Sequence, residues 1–153
     1  MLIIYEELIC KLKNNLIDKN INFNKFLKLI NNQKYDKIIK IIDDDKTICT
    51  LIENIEIERE KIGNNMENKF NNLLWLNEIL IKFNEKPQPT KTKALKLIKS
   101  KIFINIYDLE AGKYECKTTK QSLKKELKNK PERRFPLNNA KNYITLKCFL
   151  IKL

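Results

Sequence analysis

The sequence predicts a mainly α protein: an N-terminal part of about four to five helices, followed by a small basic α+β module with one β-hairpin. Three observations lead there. In residues 1–86 apolar side chains recur at i, i+3 and i+4, the period of a helix with one buried face. At residues 87–89 a Pro-Gln-Pro segment coincides with a change in charge. Beyond it a β-branched and aromatic run, residues 102–107, is followed by a turn signal at Gly112. The expected organisation is a neutral helical domain over 1–86, a Pro/Lys linker over 87–93 and a basic α+β module over 94–153.

The elements follow in order. Tyr5, Leu8, Ile9, Leu12 and Leu16 form the first stripe, and Phe23, Phe26, Leu27 and Ile30 the second, with Asn20 as its expected cap. Tyr35, Ile38, Ile39 and Ile42 form a third. Asp43-Asp44-Asp45 marks a break, with Thr47 as the next cap. Ile48, Leu51, Ile52, Ile55 and Ile62 continue to Gly63-Asn64-Asn65, which has the composition of a C-cap and turn. Met66, Phe70, Leu73, Leu76 and Leu80 form the last stripe. Ile and Asn are mediocre helix formers, so these helices depend on packing rather than propensity.

In the basic module residues 94–99 read as a short amphipathic helix. Residues 102–107 read as a strand with Ile102, Ile104 and Ile106 on one face, and residues 114–117 as its hairpin partner. Thr118 or Thr119 caps a Lys-rich helix with Leu123 and Leu127 inward, and Pro131 ends it. Residues 139–153 fit either period, with the helix favoured.

Composition narrows the function. The 153-residue chain has no His and only two Gly. Without imidazole there is no His general base, no Ser-His-Asp or Cys-His pair, and no imidazole zinc ligand. Without Gly-rich loops there is no phosphate cradle or dinucleotide fingerprint. Cys10, Cys49, Cys116 and Cys148 contain no CxxC and read as reduced, mostly buried thiols. No cofactor and no metal is expected. The N-terminus lacks a basic signal-peptide region, and no apolar run approaches a membrane span. The cytoplasm is the expected compartment, with the nucleus as the second.

Charge points to a partner. Residues 1–86 carry 14 basic and 14 acidic side chains; residues 87–153 carry 17 and 5, so the whole net charge of +12 falls there. An AT-rich genome enriches Lys, Ile and Asn together, but such a bias acts on both halves and does not produce this asymmetry. A polyanion facing the second half does. The candidate nucleic-acid-binding residues are Lys91, Lys93, Lys96, Lys99, Lys117, Lys120, Lys124, Lys128, Arg133, Arg134 and Phe135. Lys117, Lys120, Lys124 and Lys128 share one stripe if helical, a row that neutralises successive phosphates. Arg133-Arg134-Phe135 in a Pro-bounded loop has the chemistry to stack on a splayed base. Lys outnumbers Arg 28 to 3, which favours contact with a phosphate backbone over the reading of base edges.

The expected function is that of a non-enzymatic, basic RNA-associated protein, bound to ribosomal RNA as an accessory or inactivating (hibernation-type) factor. Two other functions are compatible. One is a protein–protein adaptor working through the helical half. The other is a metal-dependent minimal nuclease, because Asp108 followed by Glu115-Cys116-Lys117 resembles the Asp…Glu-x-Lys pattern that such enzymes carry on a β-hairpin. Glu-x-Lys also occurs at Glu67-Asn68-Lys69 and Glu126-Leu127-Lys128, as expected in a chain this rich in both residues.

Overall fold

Side-chain caps set most of the helix starts. The computed structural model describes residues 2–136, 139 and 143–150. The neutral half folds into α1 (Leu2–Asp18), α2 (Phe23–Asn31), α3 (Tyr35–Ile42), α4 (Lys46–Phe70) and α5 (Leu73–Lys82). The basic half supplies α6 (Lys91–Lys101), α7 (Ile106–Glu110), α8 (Lys120–Asn129) and α9 (Ile144–Phe149), with 3₁₀ turns at Tyr114–Cys116 and Pro131–Arg133. Asn22, Asp45, Asn72, Thr90, Asn105 and Thr119 each accept a hydrogen bond from a first-turn N–H of the helix they precede. Asn22 and Asp45, rather than the expected Asn20 and Thr47, are the caps of α2 and α4. Asn20 and Asp43 instead adopt left-handed backbone, with φ of 58° and 51°.

The expected β-hairpin is absent: among the described residues there is no β-strand. A single antiparallel bridge joins Phe103 to Thr118, with Thr118 N donating to Phe103 O at 2.8 Å. Ile102 and Ile104 do turn inward, as an alternating strand would. Pairing stops at Asn105, whose side chain accepts from Tyr107 N at 2.9 Å and starts α7. That local hydrogen bond competes directly with the sheet ladder. Tyr107, Asp108, Leu109 and Glu110 are then all buried, which a two-sided strand at this position would not achieve.

The second departure is at Gly63. Instead of ending a helix it lies inside α4, where a Cβ would sit 2.5 Å from the ring of Tyr143. The missing side chain admits that ring against the helix backbone, and Tyr143 Oη donates to Glu60 O at 3.2 Å. α4 therefore continues unbroken for 25 residues as the central support of the fold, with α1, α5, α7 and α9 packed along it.

The core is contiguous across both halves. An aromatic row runs through it. Tyr5 stacks on Tyr107 with centroids 4.6 Å apart, Tyr107 meets Phe135 at 6.1 Å, and Phe135 meets Tyr143 at 6.3 Å. Beside this row Arg59 is fully buried and has no carboxylate within ion-pair distance among the described residues. It donates to Tyr5 Oη at 3.4 Å and lies over the Tyr5 ring. The Pro-Gln-Pro segment is likewise held: Gln88 N donates to Asn77 Oδ1 at 2.8 Å, and Asn77 Nδ2 donates to Gln88 O at 3.0 Å. One amide side chain thus pairs with the extended linker as a neighbouring strand would and fixes it to α5.

Helix α9 has no side-chain cap of its own. Glu67 of α4 supplies one, accepting from Thr145 N at 3.0 Å and Leu146 N at 2.8 Å. Burial opposes ionisation of Glu67, but the N–H donors of Leu146 and Thr145 outweigh it and hold the carboxyl below its ordinary range. With the folded pKa depressed, the stabilisation is fully present above the unfolded value of about 4.3 and is lost as pH falls through the folded value. Protection of the Thr145 and Leu146 amides, relative to their intrinsic exchange rates, is expected to fall in that acid window in the native protein. In Glu67→Gln this acid dependence should disappear; if it persists unchanged, the capping role is wrong.

Candidate nucleic-acid interface

Helix α6 presents its charge on one side. Ala94 and Ile98 are buried, and at about 100° per residue Lys93, Lys96 and Lys99 project from the opposite face. All three are exposed, as are Lys91 and Lys101 at the helix ends. On α8 the buried anchor is Leu123, and Lys120, Lys124 and Lys128 run down one flank of it. Lys120 and Lys128 are exposed and Lys124 is half-buried. Lys117 precedes the helix, so it lies outside the helical stripe expected for it. It sits in the extended segment, its ammonium 5.3 Å from the centroid of Phe83.

The Phe103–Thr118 bridge brings the two rows together. It ties the end of α6 to the start of α8, and Lys101 and Lys120 lie on the same side of it, each two residues away. Neither α6 nor α8 has an acidic residue in its first turn. The partial positive charge of each helix N-terminus therefore adds to the lysines there.

The carboxylates of the basic half are mostly engaged elsewhere. Arg133 Nη2 pairs with Asp108 Oδ2 at 2.6 Å and Arg133 Nε with Glu126 Oε1 at 3.4 Å. Glu132 pairs with Lys13 of α1 at 3.1 Å, and Glu110 accepts from Asn65 Nδ2 at 2.8 Å. Only Glu115 of the five stays exposed with no such contact. Among the described residues no lysine between 91 and 130 makes an ion pair. Among the described residues, the positive surface is thus left without direct ion-pair partners.

Comparison with known proteins found no matching family model, no matching curated protein and no matching solved structure.

The remaining candidates are placed inside the fold. Arg133 also reaches Glu6 of α1 at 3.5 Å. Arg134 Nε donates to Leu127 O at 2.6 Å and its Nη2 to Lys128 O at 3.5 Å, covering carbonyls that the end of α8 leaves free. Phe135 is buried in the aromatic row. Cys10 and Cys116 are exposed and Cys49 is half-buried, so burial does not describe these three thiols; the side chain of Cys148 lies outside the described residues.

The frame required by the Asp…Glu-x-Lys pattern is not formed. Asp108 is buried on α7 against Arg133, Glu115 lies on a 3₁₀ turn, and Lys117 rests on Phe83. Among the described residues no three His, Cys, Asp or Glu side chains are grouped to hold a metal. No described helix is long and apolar enough to cross a membrane.

The structure adds side chains that sequence inspection missed. Phe83 and Tyr114 meet edge-to-face at 6.1 Å, and Lys82 Nζ lies 4.4 Å from the Tyr114 centroid. The signal available for them was faint: a Lys-aromatic dipeptide on each side of the linker, Lys82-Phe83 and Lys113-Tyr114.

Proposed function

We propose that this protein is a non-enzymatic RNA-associated factor whose α6 and α8 lysines lie along a phosphate backbone, and that it acts on the ribosome as an accessory or inactivating factor in the cytoplasm. The observation that carries this is the uncompensated lysine surface. Eleven lysines from Lys91 to Lys128 point outward or flank the core, while four of the five carboxylates around them are held by Arg133, Lys13 and Asn65. A surface so arranged gains its binding energy from counterion release rather than from base-edge contacts. Ribosomal RNA is the partner of choice because it offers dense, folded phosphate to a short, lysine-rich face.

Affinity of the full chain for a structured RNA is expected to fall about 1,000-fold between 50 and 200 mM salt, the behaviour of some six neutralised phosphates. In lysate the protein should sediment with ribosomal particles through a sucrose gradient at low salt and leave them at high salt. A salt-independent affinity, or sedimentation only at the top of the gradient in both buffers, would refute the proposal.

A separate feature favours protein binding by the helical half. A cavity of about 490 Å³ beside α3 and α4 is lined by Tyr35, Ile57, Tyr143 and the carboxylates Glu53, Glu56 and Glu60. Its acidic rim and apolar walls suit a basic segment of a partner protein.

A further inference from the structure

We infer that Phe83 and Tyr114 form a base-stacking element, so that the RNA taken by the lysine surface is single-stranded or carries unpaired bases rather than being a continuous duplex. The inference rests on the RNA function proposed above and names the substrate class of the same site.

Phe83 ends α5, and Tyr114 opens the 3₁₀ turn that follows α7. Their rings stand at 82° to each other with centroids 6.1 Å apart. Both are half-buried, one side packed on the core and the other toward the surface. Each ring carries an exposed ammonium: Lys82 on Tyr114 at 4.4 Å and Lys117 on Phe83 at 5.3 Å. Lys117 adjoins Thr118, which forms the bridge between the end of α6 and the start of α8, and α5 packs along α6. The pair therefore sits where the two lysine rows meet, on the path of a backbone that follows both.

The relative strengths of the contacts decide what the rings do when RNA arrives. An exposed ammonium–ring contact is worth about 2- to 5-fold in an equilibrium constant. A nucleobase stacked on an aromatic ring is worth about 5- to 150-fold. A base displaces the ammonium from the ring, and the displaced lysine, on its flexible four-carbon stem, is free to neutralise a phosphate of the same strand. Duplex RNA cannot make this exchange, because its bases are already stacked on one another. Phe23 and Trp75 also carry a lysine, but they belong to the neutral half, and Lys13 over Phe23 is paired with Glu132. Only the Phe83–Tyr114 pair, among the described aromatics, combines two surface-facing rings with the uncompensated lysines.

The test is fluorescence anisotropy of the full chain at fixed salt with four probes of matched length: a 12-nucleotide oligoadenylate, a 12-nucleotide oligouridylate, an abasic ribose-phosphate 12-mer and a 12-base-pair RNA duplex. The expected order is oligoadenylate, then oligouridylate, then the abasic strand, with at least about a 5-fold gap between first and last. Per phosphate, the duplex should bind no better than the abasic strand. In the double variant Phe83→Leu/Tyr114→Leu, checked for folding by circular dichroism, the gap should close while the salt slope stays. Equal affinity of the native protein for the adenylate and abasic strands would overturn the stacking and leave the RNA function standing. A gap that survives in the folded double variant would also overturn it. Absence of salt-dependent binding to all four probes would overturn the RNA function itself, and the stacking with it. Because the native comparison needs no substitution, the result does not depend on the variant folding.

Discussion

Changing Lys120, Lys124 and Lys128 together to alanine is expected to weaken RNA binding on the order of 100-fold at 0.15 M salt and to make its logarithmic salt slope shallower by about 2 to 3. Each substitution removes one cation from a flank of α8 whose lysines make no ion pair among the described residues; the single acidic residue of α8, Glu126, pairs with Arg133 instead. Thermal stability should hardly change, because alanine favours the helix and none of the three lysines is ion-paired among the described residues. The matched control is Lys34, Lys37 and Lys40 to alanine, which removes the same charge from exposed positions on or beside α3. If both triple variants lose affinity equally, net charge alone attracts the RNA and the lysine rows are not its site.

Arg133→Ala is expected to act on stability by about 3 kcal/mol, which lowers the melting temperature by roughly 6–12 °C for a chain of this size. Its guanidinium joins Glu6 of α1, Asp108 of α7 and Glu126 of α8. Removing it leaves the Asp108 carboxylate nearly buried without its short 2.6 Å partner, and an unpaired buried charge is the large part of the loss. Arg133→Lys keeps the charge but not the planar fork that reaches three carboxylates, so it should recover only part. Asp108→Leu combined with Arg133→Met removes both charges and should recover more than Arg133→Lys. Urea midpoints of the three variants give the ranking. A folded Arg133→Ala protein of native stability that has lost its RNA affinity would return Arg133 to the binding surface.

The helices could be read from the sequence because they depend on local signals. Apolar spacing located α1 to α3 and the buried faces of α4 and α5, though it put the break between those two at Gly63 rather than at Asn71–Asn72; Pro131 ended α8, and Thr119 is one of the two threonines expected to cap it. Of the features that were not legible, one turns on a side chain's choice of its own hydrogen bond and another on a contact distant along the chain. Residues 102–107 have strand-forming side chains, yet Asn105 closes a hydrogen bond two residues on and turns the segment into α7. Nothing local distinguishes that outcome from a hairpin, because both bury Ile102 and Ile104. Gly63 looks like a helix end until Tyr143, 80 residues later, is seen to occupy the space a side chain would fill.

The site divides in the same way. The lysines were identifiable by composition alone, since exposure is what lysine does by default. Arg133, Arg134 and Phe135 have the chemistry of an RNA contact, but their partners, Glu6, Asp108, the α8 carbonyls and Tyr107, are known only once the fold is. Lys117 fits a helical row by its spacing and misses it because the helix starts three residues later.

The order in which the chain is made gives the Tyr143–Gly63 contact and the Arg133 pairs one more consequence. During synthesis α4 emerges long before the segments that cover it, so its apolar flank waits for α7, Phe135 and Tyr143 to clear the exit tunnel. Until then Asp108 has no counter-charge and the groove over Gly63 stands open. The apolar flank of α4 is thus completed only by the later part of the chain, and until that part is made this flank is the surface most exposed to aggregation.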